Sequence, residues 1–79
     1  MLTELAAEEK VVGAKQAKRA LRDGRARRVY LAADADPRVT EPVAQLCQQQ
    51  GVPVEEVPGM KALGAACGIS VGAAVVAAL

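Results

Sequence analysis

Eight of the ten lysines and arginines of this chain are Lys10, Lys15, Lys18, Arg19, Arg22, Arg25, Arg27 and Arg28. They lie in or just before the segment GAKQAKRALRDGRARR, residues 13–28, where Asp23 is the one opposing acid. The formal net charge of the whole chain is only +1. A local surplus of that size in a nearly neutral protein marks a site, because charge placed for solubility would be spread. The chemistry on offer is the binding of an anionic backbone, which phosphate contacts would make strongly salt-dependent. The plainer reading is a solvated helix face, as most charge runs are.

Other chemistries are excluded or weakened by what is missing. Histidine, phenylalanine and tryptophan are absent, and Tyr30 is the only aromatic residue. The chain therefore has no ordinary general base near neutral pH and no imidazole metal ligand. A base-stacking platform of several aromatics cannot be built either. Gly13-Ala14-Lys15-Gln16 stands at a strand-to-helix junction. It lacks the first glycine, the spacer and the Ser/Thr of a Walker loop, and no GxGxxG is present. Asp34 and Asp36 resemble half of an acid/base or metal site, yet a turn and a helix cap are the commoner use of such residues. Cys47 and Cys67 are far apart, with no CxxC spacing, and buried free thiols are expected rather than a disulfide or a catalytic thiol. No catalytic residue, metal or cofactor is assigned.

These residues must be positioned by one small domain, residues 1–79, near the lower limit for a self-sufficient core. Apolar content is 52%, with alanine supplying seventeen of those residues, so valine, leucine and isoleucine must fill the volume. Thr3 can cap a first helix that buries Leu2, Leu5 and Ala6. Residues 10–12 read as a short strand ended by Gly13. Residues 14–23 have helical periodicity, with Ala17, Ala20 and Leu21 inward, Lys15, Lys18, Arg19 and Arg22 outward, and Gly24 as cap. Residues 28–33 read as a central strand. A helix follows, capped by Asp36 or Thr40, with Pro37 and Pro42 near its first turn and Val43, Leu46 and Cys47 as its buried stripe. Residues 52–57 read as a strand that Pro53 places at an edge or a start, with Glu55 and Glu56 discouraging further pairing. Residues 60–67 form a fourth helix closed by Gly68, and residues 73–79 a buried strand, although AAVVAA also fits a helix turn. The order α-β-α-β-α-β-α-β implies an α/β protein, a three-layer α/β/α sandwich around a small four-stranded mixed sheet. Ile69, Ser70 and Val71 lie between two glycines, either tucked into the core or forming an apolar tip for a partner surface. The apolar run at 69–79 is too short to span a bilayer, and the N-terminus lacks a signal peptide's apolar region, so a cytoplasmic location is expected. Nothing requires an oligomer, and a monomer is expected.

Taken together, the segments VVGAKQAKRALRDG, VYLAADADP, VTEPVAQLCQQQGVPV and MKALGAACGISVGAAVVA are similar, in order and over nearly the whole chain, to one family. The chain resembles the kink-turn RNA-binding ribosomal-protein family (the L-seven-Ae type), and its small bacterial branch in particular. That resemblance implies a non-catalytic protein that recognises sharply bent RNA, in ribosomal or regulatory RNA. It places Gly13, Lys15, Gln16 and Arg19 against tandem sheared G·A pairs, Ile69, Ser70 and Val71 over a flipped-out nucleotide, and Lys61 near the RNA backbone. Archaeal and eukaryotic members typically carry Asn-Glu where this chain has Lys15-Gln16, and often an acid where it has Ser70. The alternative is a protein-interaction module of a ribonucleoprotein assembly, with the same fold and weak, non-specific RNA binding.

Overall fold

A computed structural model describes residues 9–79 of the chain. The helix expected around Thr3 lies outside the described residues. The elements are β1 (Lys10–Val12), α1 (Ala14–Arg22), β2 (Arg28–Ala32), α2 (Pro37–Gln50), β3 (Val54–Val57), α3 (Met60–Ala66) and β4 (Val75–Ala78). The strands form one mixed sheet in the order β1-β4-β2-β3, antiparallel at both β4 pairings and parallel between β2 and β3.

Period-two alternation divides the core between the faces of this sheet. Val29, Leu31, Val75 and Ala77 face α1 and α2, packing on Ala17, Leu21, Val43 and Cys47. Tyr30, Ala32, Val76 and Ala78 face the other way, against Leu63 and Cys67 of the α3 segment. All four β4 residues are buried, which is why AVVAA is a central strand rather than a helix turn: a strand covered on both faces reads as a continuous apolar run. Both expected layers of helix are thus present. The only aromatic ring, Tyr30, is consumed by the core at 2% exposure.

Some expected boundaries and burials move. The third strand begins at Val54, since Pro53 has no N–H for the ladder, although its carbonyl accepts from Val29 N–H at 3.0 Å. It is an edge strand, and Glu55 and Glu56 are exposed on it. Pro42 lies inside α2 rather than in its first turn. Leu46 is only half-buried: it packs at the margin of the core on the α1–α2 side and also borders the groove between those helices. Asp36 caps α2, accepting from Arg38 N–H at 2.9 Å, and the Arg38 guanidinium 2.8 Å away holds its carboxyl below the usual range. Asp34 acts at longer range: its Oδ1 accepts from the Met60 N–H at 2.8 Å and so caps α3. The two aspartates serve helix ends. Among the described residues, no group of three His, Cys, Asp or Glu is placed to hold a metal, and no helix is long and apolar enough to cross a membrane.

Cys47 and Cys67 are free, buried, and on opposite faces of the sheet. Burial pushes both thiols up, partly offset at Cys67 by Lys10. A raised folded-state value favours the neutral thiol. The stability this contributes is fully present below the ordinary thiol value of about 8.5 and is lost as pH rises through the raised one. Denaturation midpoints should therefore fall above about pH 9. Native thiols should react with a disulfide reagent at least about tenfold more slowly than those of the urea-unfolded chain. Fast native modification of both would contradict the burial described.

Candidate nucleic-acid interface

Four connections meet at one end of the sheet, and a run of main-chain hydrogen bonds holds them together. Gly13 N–H donates to the Val75 carbonyl at 2.8 Å, which fixes the entry to α1 against the start of β4. Ala32 N–H donates to Ala74 at 2.9 Å, and Ala33 N–H to Val57 at 2.7 Å. Ala73 N–H donates to the Met60 carbonyl at 3.0 Å, and Met60 is itself held by Asp34. The N-terminus of α1, the segment 69–74 and the start of α3 thereby share one end of the molecule. In an α/β sheet this is the end where the parallel strands finish and where ligands are usually held.

Gly13 enters α1 with φ 108° and ψ 149°, a backbone region that is essentially glycine's alone. A Cβ there would meet nothing within 4 Å, so the requirement is conformational rather than steric crowding. No side chain caps α1 and no acid occupies its first turn. Helix geometry leaves the first amides without intrahelical partners, and the macrodipole adds partial positive charge there. Lys15 stands in this first turn, while Arg19 and Arg22 occupy the last turn, where cations are favoured. Lys15, Gln16, Arg19 and Arg22 line an open depression of about 450 Å³. That volume would suit a small molecule, but such pockets are lined mostly by hydrophobic and aromatic residues, and this one is lined by lysine, glutamine and arginine. Among the described residues, none of these cations is within ion-pair distance of an acid.

The fold also divides the basic segment. Arg25, Arg27 and Arg28 and the start of β1 lie at the opposite end of the sheet from Gly13. Arg27 Nε donates to the Leu79 carbonyl at 2.7 Å, Arg25 pairs with Asp23 at 3.6 Å, and Lys10 and Arg28 are engaged with partners too. On α1, Lys15, Arg19 and Arg22 are exposed and Lys18 is half-buried, and among the described residues none of the four pairs with an acid.

On the other side of the sheet the segment 69–72 is laid back along α3. Gly68, at φ 78°, reverses the chain so that Ile69 N–H reaches the Gly64 carbonyl at 3.1 Å. This six-to-one bond is the Schellman closure that a glycine in the left-handed region permits. The Val71 carbonyl then rests on Gly64, where a Cβ would overlap it, and Gly72 lies against Met60. The two sequence readings of the loop are divided between its residues. Ile69 is half-buried against the α3-side core, whereas Ser70 is exposed and Val71 is 68% exposed. Lys61, in the first turn of α3, is exposed at the same end. Gly64 and Asp34 shape this end of the molecule: Gly64 admits the Val71 carbonyl, and Asp34 takes the capping role, not the acid/base one, by holding the start of α3. A visible signal was the four-residue spacing of Gly64, Gly68 and Gly72.

Residues 3–79 match the Ribosomal protein L7Ae/L30e/S12e/Gadd45 family. The chain belongs to that family. It is 49% identical over 73 residues to a protein of Geobacillus sp. strain WCH70 named an RNA-binding protein, covering 92% of this chain and 89% of that one. It is also 49% identical over 69 residues to the RNA-binding protein YbxF of Geobacillus stearothermophilus, covering 87% and 84%. Among solved structures, the Giardia lamblia 15.5kD RNA binding protein superposes with a TM-score of 0.88 at 31% identity, covering 98% of this chain and 66% of that one.

Two glycines of the site separate opposing effects. On helix propensity alone, Gly64→Ala would stabilise α3 by about 1 kcal/mol. The obstacle at Gly64 is main chain, however, so the overlap should prevail and lower stability by about 1–3 kcal/mol. Gly13→Ala should cost a similar amount, about 1–3 kcal/mol, with open space around the added methyl. Urea denaturation of both variants checks this, and a stabilised Gly64→Ala would show that the loop does not lie on α3 as described.

Proposed function

We propose that this protein is a non-catalytic RNA-binding protein that recognises and stabilises kink-turns, in ribosomal or structured regulatory RNA. The observation that carries the reading is the uncapped, acid-free entry to α1, with Gly13, Lys15 and Gln16 at the same end of the sheet as an exposed Val71, and Arg19 further along the helix in the same open depression. The names of the relatives support RNA as the partner.

Lys15 and Arg19 offer donors to the N7 and O6 acceptors of a guanine Hoogsteen edge. Gln16 both donates and accepts, as a purine edge requires. The major groove of an intact A-form helix is too narrow to admit a protein helix, so a kinked motif is what opens it to the start of α1. Ser70 and Val71 cover an unstacked nucleotide with exposed surface, Ile69 supports them from the core side, and Lys61 meets the backbone nearby. Apolar cover takes the place of aromatic stacking, since Tyr30 is buried. Preference for the bent conformer over the extended one shifts the RNA population toward the bend.

A titration against a kink-turn RNA and a variant with its G·A pairs replaced by G·C tests this. Tight binding to the first and a loss of tenfold or more for the second is the expected result. Lys15→Ala with Arg19→Ala should weaken kink-turn binding by about 1–3 kcal/mol per lost base contact. Equal, steeply salt-sensitive affinity for both RNAs would reduce α1 to an electrostatic patch and favour a protein-interaction role.

A further inference from the structure

The basic face of α1 carries two rows of cations. Lys15 and Arg19 form one, four residues apart. Lys18 and Arg22 form another of the same spacing, turned by about 60° around the helix axis. The first row belongs to the base-reading site proposed above. The second borders an open trough of about 220 Å³ between α1 and α2, lined by Lys18, Arg22, Pro42, Gln45, Leu46 and Gln49. Arg22 borders this trough and the depression at Lys15 alike, so the two surfaces are continuous.

The chemistry of the trough is selective. Two cations stand on one wall. Gln45 and Gln49, one helical turn apart, stand on the other, and the half-buried Leu46 lies between the walls. No acid lines it, although α2 carries Glu41 and the α1 cap is Asp23. Cations satisfy phosphate oxygens, and carboxamides donate to those oxygens and exchange hydrogen bonds with ribose hydroxyls. No aromatic ring lines the trough to stack a base, and its cations and carboxamides suit phosphate oxygens and ribose hydroxyls.

We propose that the α1–α2 trough is a second RNA contact, made to backbone alone. Lys18 and Arg22 hold phosphates of the strand adjoining the Lys15 and Arg19 site, and Gln45 and Gln49 close the far wall. This rests on the RNA-binding reading above but not on kink-turn preference.

Two double variants test it, each titrated against the kink-turn RNA and its G·C counterpart between about 50 and 200 mM salt. Lys18→Gln with Arg22→Gln should weaken both RNAs by a similar factor and reduce the slope of log affinity against log salt by about one per cation. The ratio between the two RNAs should stay within about twofold of wild type. Gln45→Glu with Gln49→Glu leaves every cation in place and adds carboxylates to the far wall. It should weaken both RNAs alike by about tenfold, near the upper salt concentration, where screening confines the effect to short range. A charge-preserving pair, Lys18→Arg with Arg22→Lys, should retain the wild-type slope.

An unchanged slope with affinities within twofold of wild type would overturn the proposal. So would a loss confined to the kink-turn RNA, which would place these residues in base recognition, or a slope lost in the charge-preserving pair. Wild-type protein that binds both RNAs equally would remove the kink-turn reading while leaving the slope comparison intact. Wild-type protein that binds neither would remove both.

Discussion

The structure depends on the pairing of the last strand between β1 and β2. Successive carbonyls of an extended chain point to opposite sides, and at the start of β4 those of Ala74 and Val75 reach different neighbours. Val75 accepts from Gly13 at the entry to α1, and Ala74 accepts from Ala32 at the end of β2. One short apolar strand thereby brings together segments some sixty residues apart in sequence. Its burial on both faces favours this position, since at an edge Val75 and Val76 would lose much of their cover.

The charge arrangement follows from the same geometry. α1 starts at the end of the sheet where β4 begins and finishes at the other. Cations on the helix remain open along its outer face, while those on the connection beyond it turn toward the C-terminus and local partners. An uncapped helix entry followed by unpaired cations is mildly unfavourable for an isolated domain, and a bound anion would relieve it. Only Lys15 bears that cost in the first turn, because Arg19 and Arg22 are favourably placed near the helix C-terminus.

The loop after α3 achieves definition in a different way. Its shape rests on main-chain contacts to α3, through Gly64 and Met60, rather than on interlocking side chains. Ile69 anchors it in the core and leaves Val71 presented outward on a supported backbone. An exposed valine held this way loses little conformational freedom on contact, because its backbone is already placed and its β-branched side chain has few rotamers.

The sequence by itself determined six of the seven elements of the described residues and the alternation that implies a sandwich, because these rest on local signals, while the run that becomes β4 fitted a strand or a helix turn until its burial on both faces decided it. Helical and strand periods, glycines at helix ends, and Asp36 before Pro37 act over a few residues. The resemblance of four ordered segments to a known family also points to the loop residues Ile69, Ser70 and Val71. Tertiary structure alone decided which cations stay open, because that depends on which end of the sheet each one reaches. It also decided that Ile69 and Val71 have different surroundings, that Asp34 caps a helix 26 residues away, and that Gly64 makes room for a carbonyl. The openness of the cations and the Asp34 cap depend on contacts between distant segments, set by the order in which the strands pair, whereas the Gly64–Val71 contact joins residues seven apart and depends on the turn at Gly68.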